Sequence, residues 1–266
     1  MLWSEAVALS LAAAAYVAGW VLALRAVLTG REGPRYGVKT AILLGLAAHG
    51  VAIGVRWVAS GHPPVFGTFE TALGGSWVLA GLTLLVLVRF EELRKLPAAS
   101  LPLVLLMWVH GLGFTRKHFP LTISERSLWI DLHTLAAWIA LGSYLLAFAL
   151  ALFLLLFRRG SAEVLDDHMF RFTTWGFVAQ SVMMASGAYY GFLLFGEWWR
   201  WDPVESLALV AWLAYALVIH LRLFFGWRQQ RAAWVTLAST VVLAASYKVI
   251  PHLPTGSTYH IFDLRL

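Results

Sequence analysis

Long apolar runs separated by short polar segments fill the chain from one end to the other. Eight runs are bounded by charge, Gly or Pro, at roughly 3–28, 38–59, 71–90, 97–114, 129–157, 169–195, 204–226 and 233–250. Several reach the ~20 residues that carry an α-helix across the hydrocarbon core of a bilayer. Alternation at period 2 is absent, which argues against a strand-built barrel. The pattern predicts an all-α, polytopic integral membrane protein of about eight transmembrane helices, organised as a single transmembrane domain over 1–266. The fourth run is the weakest, opened by Pro97 and Pro102 and closed by Gly111 and Gly113. The first reads as a true span and not a signal peptide: Trp3, Ser4 and Glu5 precede it, and its first basic residue, Arg25, lies at the far end. A signal peptide has a basic start and a shorter apolar stretch.

The polar connections orient the spans. Most of the 20 Lys and Arg residues fall in the 1–2, 3–4, 5–6 and 7–8 connections, among them Arg31, Arg35, Arg94, Lys95, Arg158, Arg159, Arg228 and Arg231. Basic connections stay on the inner side, so both termini are expected on the outer (extracytoplasmic) side. The unusual polar segments then lie outside: Gly61-His62-Pro63-Pro64-Val65-Phe66, Lys117-His118-Phe119-Pro120, Gly196 to Pro203, and the tail from Pro251. No internal repeat, low-complexity tract or soluble domain is legible.

Composition agrees with this reading and narrows the chemistry. Apolar residues make up 60% of the chain and charged ones 13%, about half the charged share of a soluble domain. The net charge of +6 is spread over loops that orient a membrane protein, so no nucleic-acid partner is expected. With no cysteine, the chain has no disulfide, thiolate metal site or thiol relay of its own.

The densest chemical signal is Gly196-Glu197-Trp198-Trp199-Arg200-Trp201-Asp202-Pro203-Val204-Glu205. Tryptophan is common at membrane interfaces, and that alone would account for some of it. The end of the motif adds more. Asp202 reads as an N-cap, Pro203 as the first helical residue and Glu205 as the partner in a capping box. Three indoles would then sit at the mouth of a helix, beside its positive dipole end. Such a platform suits a large planar ligand with acidic side groups. Haem fits that description, with Trp198, Trp199 and Trp201 against the macrocycle and Arg200 or Arg56 near the propionates.

Trp198 to Glu205 resembles the tryptophan-rich WWxWD signature of the haem-handling cytochrome c biogenesis family, which includes CcsA/ResC, CcmC and CcmF. The flanks Ala185-Ser186-Gly187-Ala188, Trp212, Tyr215 and His220-Leu221-Arg222 are similar to that family as well. So are Arg56-Trp57, Gly61-His62-Pro63-Pro64 and Thr68-Phe69-Glu70-Thr71, although Gly67-Thr68-Phe69 departs from the family's more frequent Asn-Leu-Tyr-Glu type of run. The likeness covers most of the chain from about residue 40, and a count of eight spans favours the CcsA type.

The resemblance implies roles for the histidines. His133, near the outer start of span five, becomes one axial ligand of haem iron, and His260 in the tail becomes the other, with His252 as its rival. Imidazole suits iron, and two of them saturate it against oxygen. His220 lies ~27 Å along its helix from Asp202; the resemblance makes it a haem-binding residue inside the membrane, whereas its chemistry alone fits an interfacial side chain beside Arg222. His49 reads as a structural hydrogen-bonding residue and His110 as packing or interface. His62 and His118 lie in outer loops, and His168 on the inner side.

The implied function is the haem-handling half of a two-protein cytochrome c synthase (a haem lyase). Haem b, as bound substrate, would be held in the 196–205 loop and presented to the CxxCH thiols of an apocytochrome. A separate CcsB/ResB-type membrane protein would work beside it, in a bacterial cytoplasmic (inner) membrane or a thylakoid membrane. Two readings stand beside this one: CcmC-like haem delivery to a chaperone, and a b-type electron-transfer membrane cytochrome.

Overall fold

The structure is a computed structural model that describes residues 2–30, 35–117, 121, 126–156 and 162–249. Among them the chain is all helical: α1 (Trp3–Thr29), α2 (Arg35–Ser60), α3 (Thr68–Arg89), α4 (Pro97–Leu112), α5 (Leu128–Leu156), α6 (Ala162–Phe195), α7 (Pro203–Phe225) and α8 (Gln230–Val249). One short 3-10 turn, Glu91–Leu93, follows α3. Six of the helices, α1, α2, α3, α5, α6 and α7, are long and apolar enough to cross a membrane. The protein is a polytopic membrane protein. Helix α4 is a shorter apolar helix, with Pro97 in its first turn and Pro102 inside it.

Local chemistry fixes several helix ends. The Glu5 carboxylate accepts the Leu2 backbone N–H at 3.3 Å at the start of α1. At the end of α7 Gly226 takes φ 63°, a left-handed conformation that glycine adopts without a steric penalty, and Trp227 N–H closes the turn on the Leu221 carbonyl at 3.1 Å. Helix α6 starts well before its apolar run. Its first turns carry Glu163, Asp166, Asp167 and His168, and Arg222 meets Asp166 and Asp167 at 2.6 Å each.

The chain divides into two compact units, Met1–Leu121 with α1 to α4 and Thr122–Leu266 with α5 to α8. In the first, the buried Tyr16 ring of α1 lies on Gly45 of α2, where a Cβ would come within 2.5 Å of it. Gly111 of α4 likewise lets α3 approach, since a Cβ there would meet Ala72 at 2.7 Å. Small residues at helix contacts are the usual means of close packing in lipid, where apolar burial gives helices little reason to associate. Side-chain donors reach across the helices: Trp20 Nε1 to the Ala98 carbonyl and Trp77 Nε1 to the Leu46 carbonyl, both at 3.1 Å.

In the second unit the Tyr144 ring of α5 lies on Gly176 of α6, again 2.5 Å from where a Cβ would stand. Tyr144 also stacks face to face on Tyr215 of α7, with centroids 3.5 Å apart. Both tyrosine hydroxyls are hydrogen-bonded. Tyr144 Oη donates to Gln180 Oε1 at 2.7 Å, Gln180 Nε2 donates to the Ala208 carbonyl at 3.1 Å, and Tyr215 Oη bonds Thr240 Oγ1 at 3.0 Å. These polar atoms, placed where a bilayer core offers no water, are thus paired inside the unit.

Candidate functional site

The α6–α7 connection holds the tryptophan motif, and the start of α7 holds it rigid. Asp202 is the N-cap: its Oδ1 accepts Val204 N–H at 2.7 Å, and Pro203 occupies the first turn. Glu205 completes the capping box, accepting Arg200 N–H at 2.8 Å and Asp202 N–H at 3.3 Å. Those two donors flank Trp201, which takes φ 57°. A bulky residue rarely adopts that conformation, and it costs about 1–3 kcal/mol. The Glu205 carboxylate, bonded on both sides of Trp201, holds the strained residue in place. Its indole is 72% exposed as a result.

The other two indoles are placed by different neighbours. Trp198 is 54% exposed and stacks on Phe192 at 4.7 Å, with Tyr189 tilted beside it at 5.7 Å. Tyr189 in turn meets the edge of Trp129 of α5 at 4.5 Å. Trp199 packs edge to face with Trp201 at 6.0 Å, and its buried Nε1 has no hydrogen-bond partner among the described residues. The Arg200 guanidinium lies 4.6 Å over the Phe195 ring and 3.4 Å from the Glu197 carboxylate.

His133 stands on α5, one helical turn beyond Trp129. Its Nδ1 lies 2.8 Å from the Met183 carbonyl of α6. A carbonyl can only accept, so Nδ1 carries the proton and the ring's lone pair is on Nε2. The ring rests against Gly187, where a Cβ would stand 2.6 Å from Nδ1. The structure therefore brings His133, Trp129, Tyr189 and Trp198 to the same end of the α5–α6 pair. Of these, Trp129 and Tyr189 carried no signal in the sequence, because lone aromatics in apolar runs read as packing.

Arg56 stands among other partners. It is buried in the first unit at the end of α2, with Nε 2.7 Å from Glu70 Oε1 and Nη1 3.1 Å from Glu5 Oε1. Its remaining bonds go to the carbonyls of Arg116, at 3.3 Å, and Lys117, at 3.1 Å, with the Phe69 ring 4.9 Å beneath it. A guanidinium at 1% exposure, bonded to two carboxylates and two carbonyls, braces the end of α2. The sequence could not reveal this, since Glu5 lies 51 residues away.

His220 is exposed on α7 and stacks on Phe224 at 4.6 Å. Two residues on, Arg222 makes the buried pair with Asp166, whose other oxygen accepts Gln229 N–H at 2.9 Å. His49 is buried in the first unit, 3.4 Å from Tyr16 Oη and stacked on Trp108. His252 and His260 lie outside the described residues.

Comparison with known proteins places this geometry in a family. The profile of the family described as "Cytochrome C assembly protein" matches residues 68–249. The chain is 28% identical to the cytochrome c biogenesis protein CcsA of Synechococcus sp. (strain RCC307), over 72% of this chain and 74% of that one. It is 29% identical to CcsA of Chlamydomonas reinhardtii, over 73% of this chain and 59% of that one. Among solved structures, the cytochrome c haem lyase CcmF superposes with a TM-score of 0.69 at 17% identity, over 91% of this chain and 46% of the other. The fold is shared with CcmF, of which this chain spans just under half the length.

Proposed function

The chain belongs to the cytochrome c assembly family, is CcsA-like and serves cytochrome c maturation; from that premise we propose that it is the haem-holding subunit of a cytochrome c synthase. Haem b is then its substrate, bound at the start of α5 and the α6–α7 connection, with this end of the second unit outside the membrane. The observation that carries the proposal is the His133 imidazole, oriented by the Met183 carbonyl at 2.8 Å beside a run of aromatic faces.

The residues fit that substrate. Trp198 and Trp201 offer open indole faces, Trp199 keeps a buried Nε1 without a partner among the described residues, and Arg200 supplies positive charge near where acidic side groups would lie. In this reading His133 Nε2 coordinates iron and the tail supplies the opposite ligand, His260 in preference to His252. His220, at the far end of α7, binds haem before it reaches the outer site.

The work of the protein is positioning. The substrate of attachment is an unfolded apocytochrome with a CxxCH motif. Each cysteine S–H adds across one haem vinyl group, sulfur to carbon and the proton to the neighbouring carbon, and the CxxCH histidine replaces one axial imidazole. No thiol is needed from this chain, which has no cysteine. A CcsB/ResB-type membrane protein completes the synthase, in a bacterial inner membrane or a thylakoid membrane.

A reduced-minus-oxidised absorption spectrum of the purified protein tests the proposal. Wild type should carry six-coordinate haem, His133→Gly should lose it, and added imidazole should restore it. A wild type that takes up no haem, even with its partner co-expressed, would refute the reading.

A further inference from the structure

No repeat is legible in the sequence, yet the two four-helix units have the same internal plan. In each, the first helix packs on the second and fourth, and the third packs on the second and fourth. The landmarks correspond residue by residue. Tyr16 lies on Gly45 as Tyr144 lies on Gly176, each at the 2.5 Å that only glycine allows. Four residues beyond each glycine comes the partner of the tyrosine hydroxyl, His49 at 3.4 Å and Gln180 at 2.7 Å. Gln180 also bonds the Ala208 carbonyl of the third helix. The third helix of each unit carries a glutamate at its third position, Glu70 in α3 and Glu205 in α7.

Seven residues beyond those glutamates stand Trp77 and Trp212, whose Nε1 groups both turn toward the second helix of their unit. Trp212 donates to Ser181 Oγ at 2.9 Å, and Trp77 Nε1 lies 3.6 Å from where Gly50, the matching residue, would place a Cβ.

The same correspondence covers the ligand position. Eleven residues before the tyrosine stand Glu5 in one unit and His133 in the other, and eleven residues after the glycine stand Arg56 and Gly187. The two pairs meet in their own units: Arg56 Nη1 to Glu5 Oε1 at 3.1 Å, and the His133 ring against Gly187. The first unit fills this place with a buried guanidinium between two carboxylates. The second leaves it to an imidazole.

We infer that α1–α4 and α5–α8 are two copies of one four-helix design, and that Gly187 is the positioning residue that opens the second copy to a haem ligand. An absent side chain at 187 lets the His133 ring lie against α6 with Nδ1 on the Met183 carbonyl. A methyl group there, 2.6 Å from Nδ1 and 2.9 Å from Cε1, would push the ring off that bond and turn Nε2 away from its direction. The part that concerns haem rests on His133 being a haem ligand, as proposed above; the packing part does not.

The test is a double-mutant cycle on the full chain in detergent, read in two ways. The haem-free proteins, wild type, Gly187→Ala, His133→Gly and the double variant, are unfolded by heat. Gly187→Ala should lower Tm in the His133 background and have little effect beside His133→Gly, because the clash partner is gone. An equal loss in both backgrounds would overturn the packing argument. If Gly187→Ala alone fails to fold while the double variant folds, that also supports it.

Haem titration supplies the second reading. Gly187→Ala should weaken haem binding by about 10- to 100-fold, the usual cost of disturbing an outer-shell partner, and added imidazole should restore the six-coordinate spectrum. Gly191→Ala, whose Cβ would meet only the Glu197 carbonyl at 3.7 Å, should titrate as wild type. Wild-type spectra from Gly187→Ala, with loss in His133→Gly, would overturn the inference and leave the haem reading standing. Unchanged spectra in His133→Gly would sink the haem reading alone.

Discussion

Replacing Arg56 distinguishes a brace from a ligand contact. Its side chain is 1% exposed, and those of Glu5 and Glu70 are 0% and 6% exposed, so all three charges are out of contact with solvent. Arg56→Ala takes the shared cation from two buried carboxylates and frees the Arg116 and Lys117 carbonyls from their donor. Breaking one buried pair costs about 3–5 kcal/mol, and two carboxylates on one guanidinium put this variant at the upper end. Arg56→Lys should recover only part, because an ammonium cannot reproduce the forked geometry that reaches Glu70 through Nε and Glu5 through Nη1. The triple variant Glu5→Gln, Arg56→Met, Glu70→Gln should be far closer to wild type than Arg56→Ala, since it removes the charges together. Thermal unfolding in detergent measures stability, and haem per folded protein measures binding. A folded Arg56→Ala protein with wild-type Tm and no haem would refute the brace and return Arg56 to the haem site.

Other features of the structure carry predictions of their own. Asp202→Ala removes the cap bond to Val204 N–H and should cost about 0.5–2 kcal/mol, with haem binding weakened further as the loop loosens; Asp202→Asn should recover most of the stability in the same thermal scan. Arg222→Ala breaks the 2.6 Å pair with the buried Asp166 and should cost about 3–5 kcal/mol, visible as faster proteolysis at the α7–α8 connection; unchanged cleavage would show that the pair does not hold that connection. Gly176→Ala sets a Cβ 2.5 Å from the Tyr144 ring and should cost about 1–3 kcal/mol through overpacking. Beside Tyr144→Ala, Gly176→Ala should cost almost nothing, and a full cost there would show that the contact is not the cause.

What the sequence reveals here is what is local. Helix positions follow from apolar runs, because each run must find its hydrogen bonds within itself. The Asp202–Glu205 capping box is legible for the same reason, all its partners lying within five residues. Long-range partners are not. The beginning of α6 reads as a polar connection until Arg222, 56 residues away, is seen to pair with Asp166. Arg56 reads as a cation near an outer loop until Glu5 is found against it. Gly187 is one small residue among several, and only the ring of His133 gives it a role. The internal repeat is hidden because its fixed points are a few residues, Tyr, Gly, Glu and Trp, spaced along helices whose other positions need only be apolar.

In the function proposed here, the chain holds haem through His133 for attachment to a cytochrome. The most direct test of that function is reconstitution of thioether formation: the purified chain with its partner, haem, a reductant and an apocytochrome or peptide bearing CxxCH. Wild type should give a covalent haem product, His133→Gly should lose it, and added imidazole should restore it. Undiminished attachment by His133→Gly without imidazole would contradict that function.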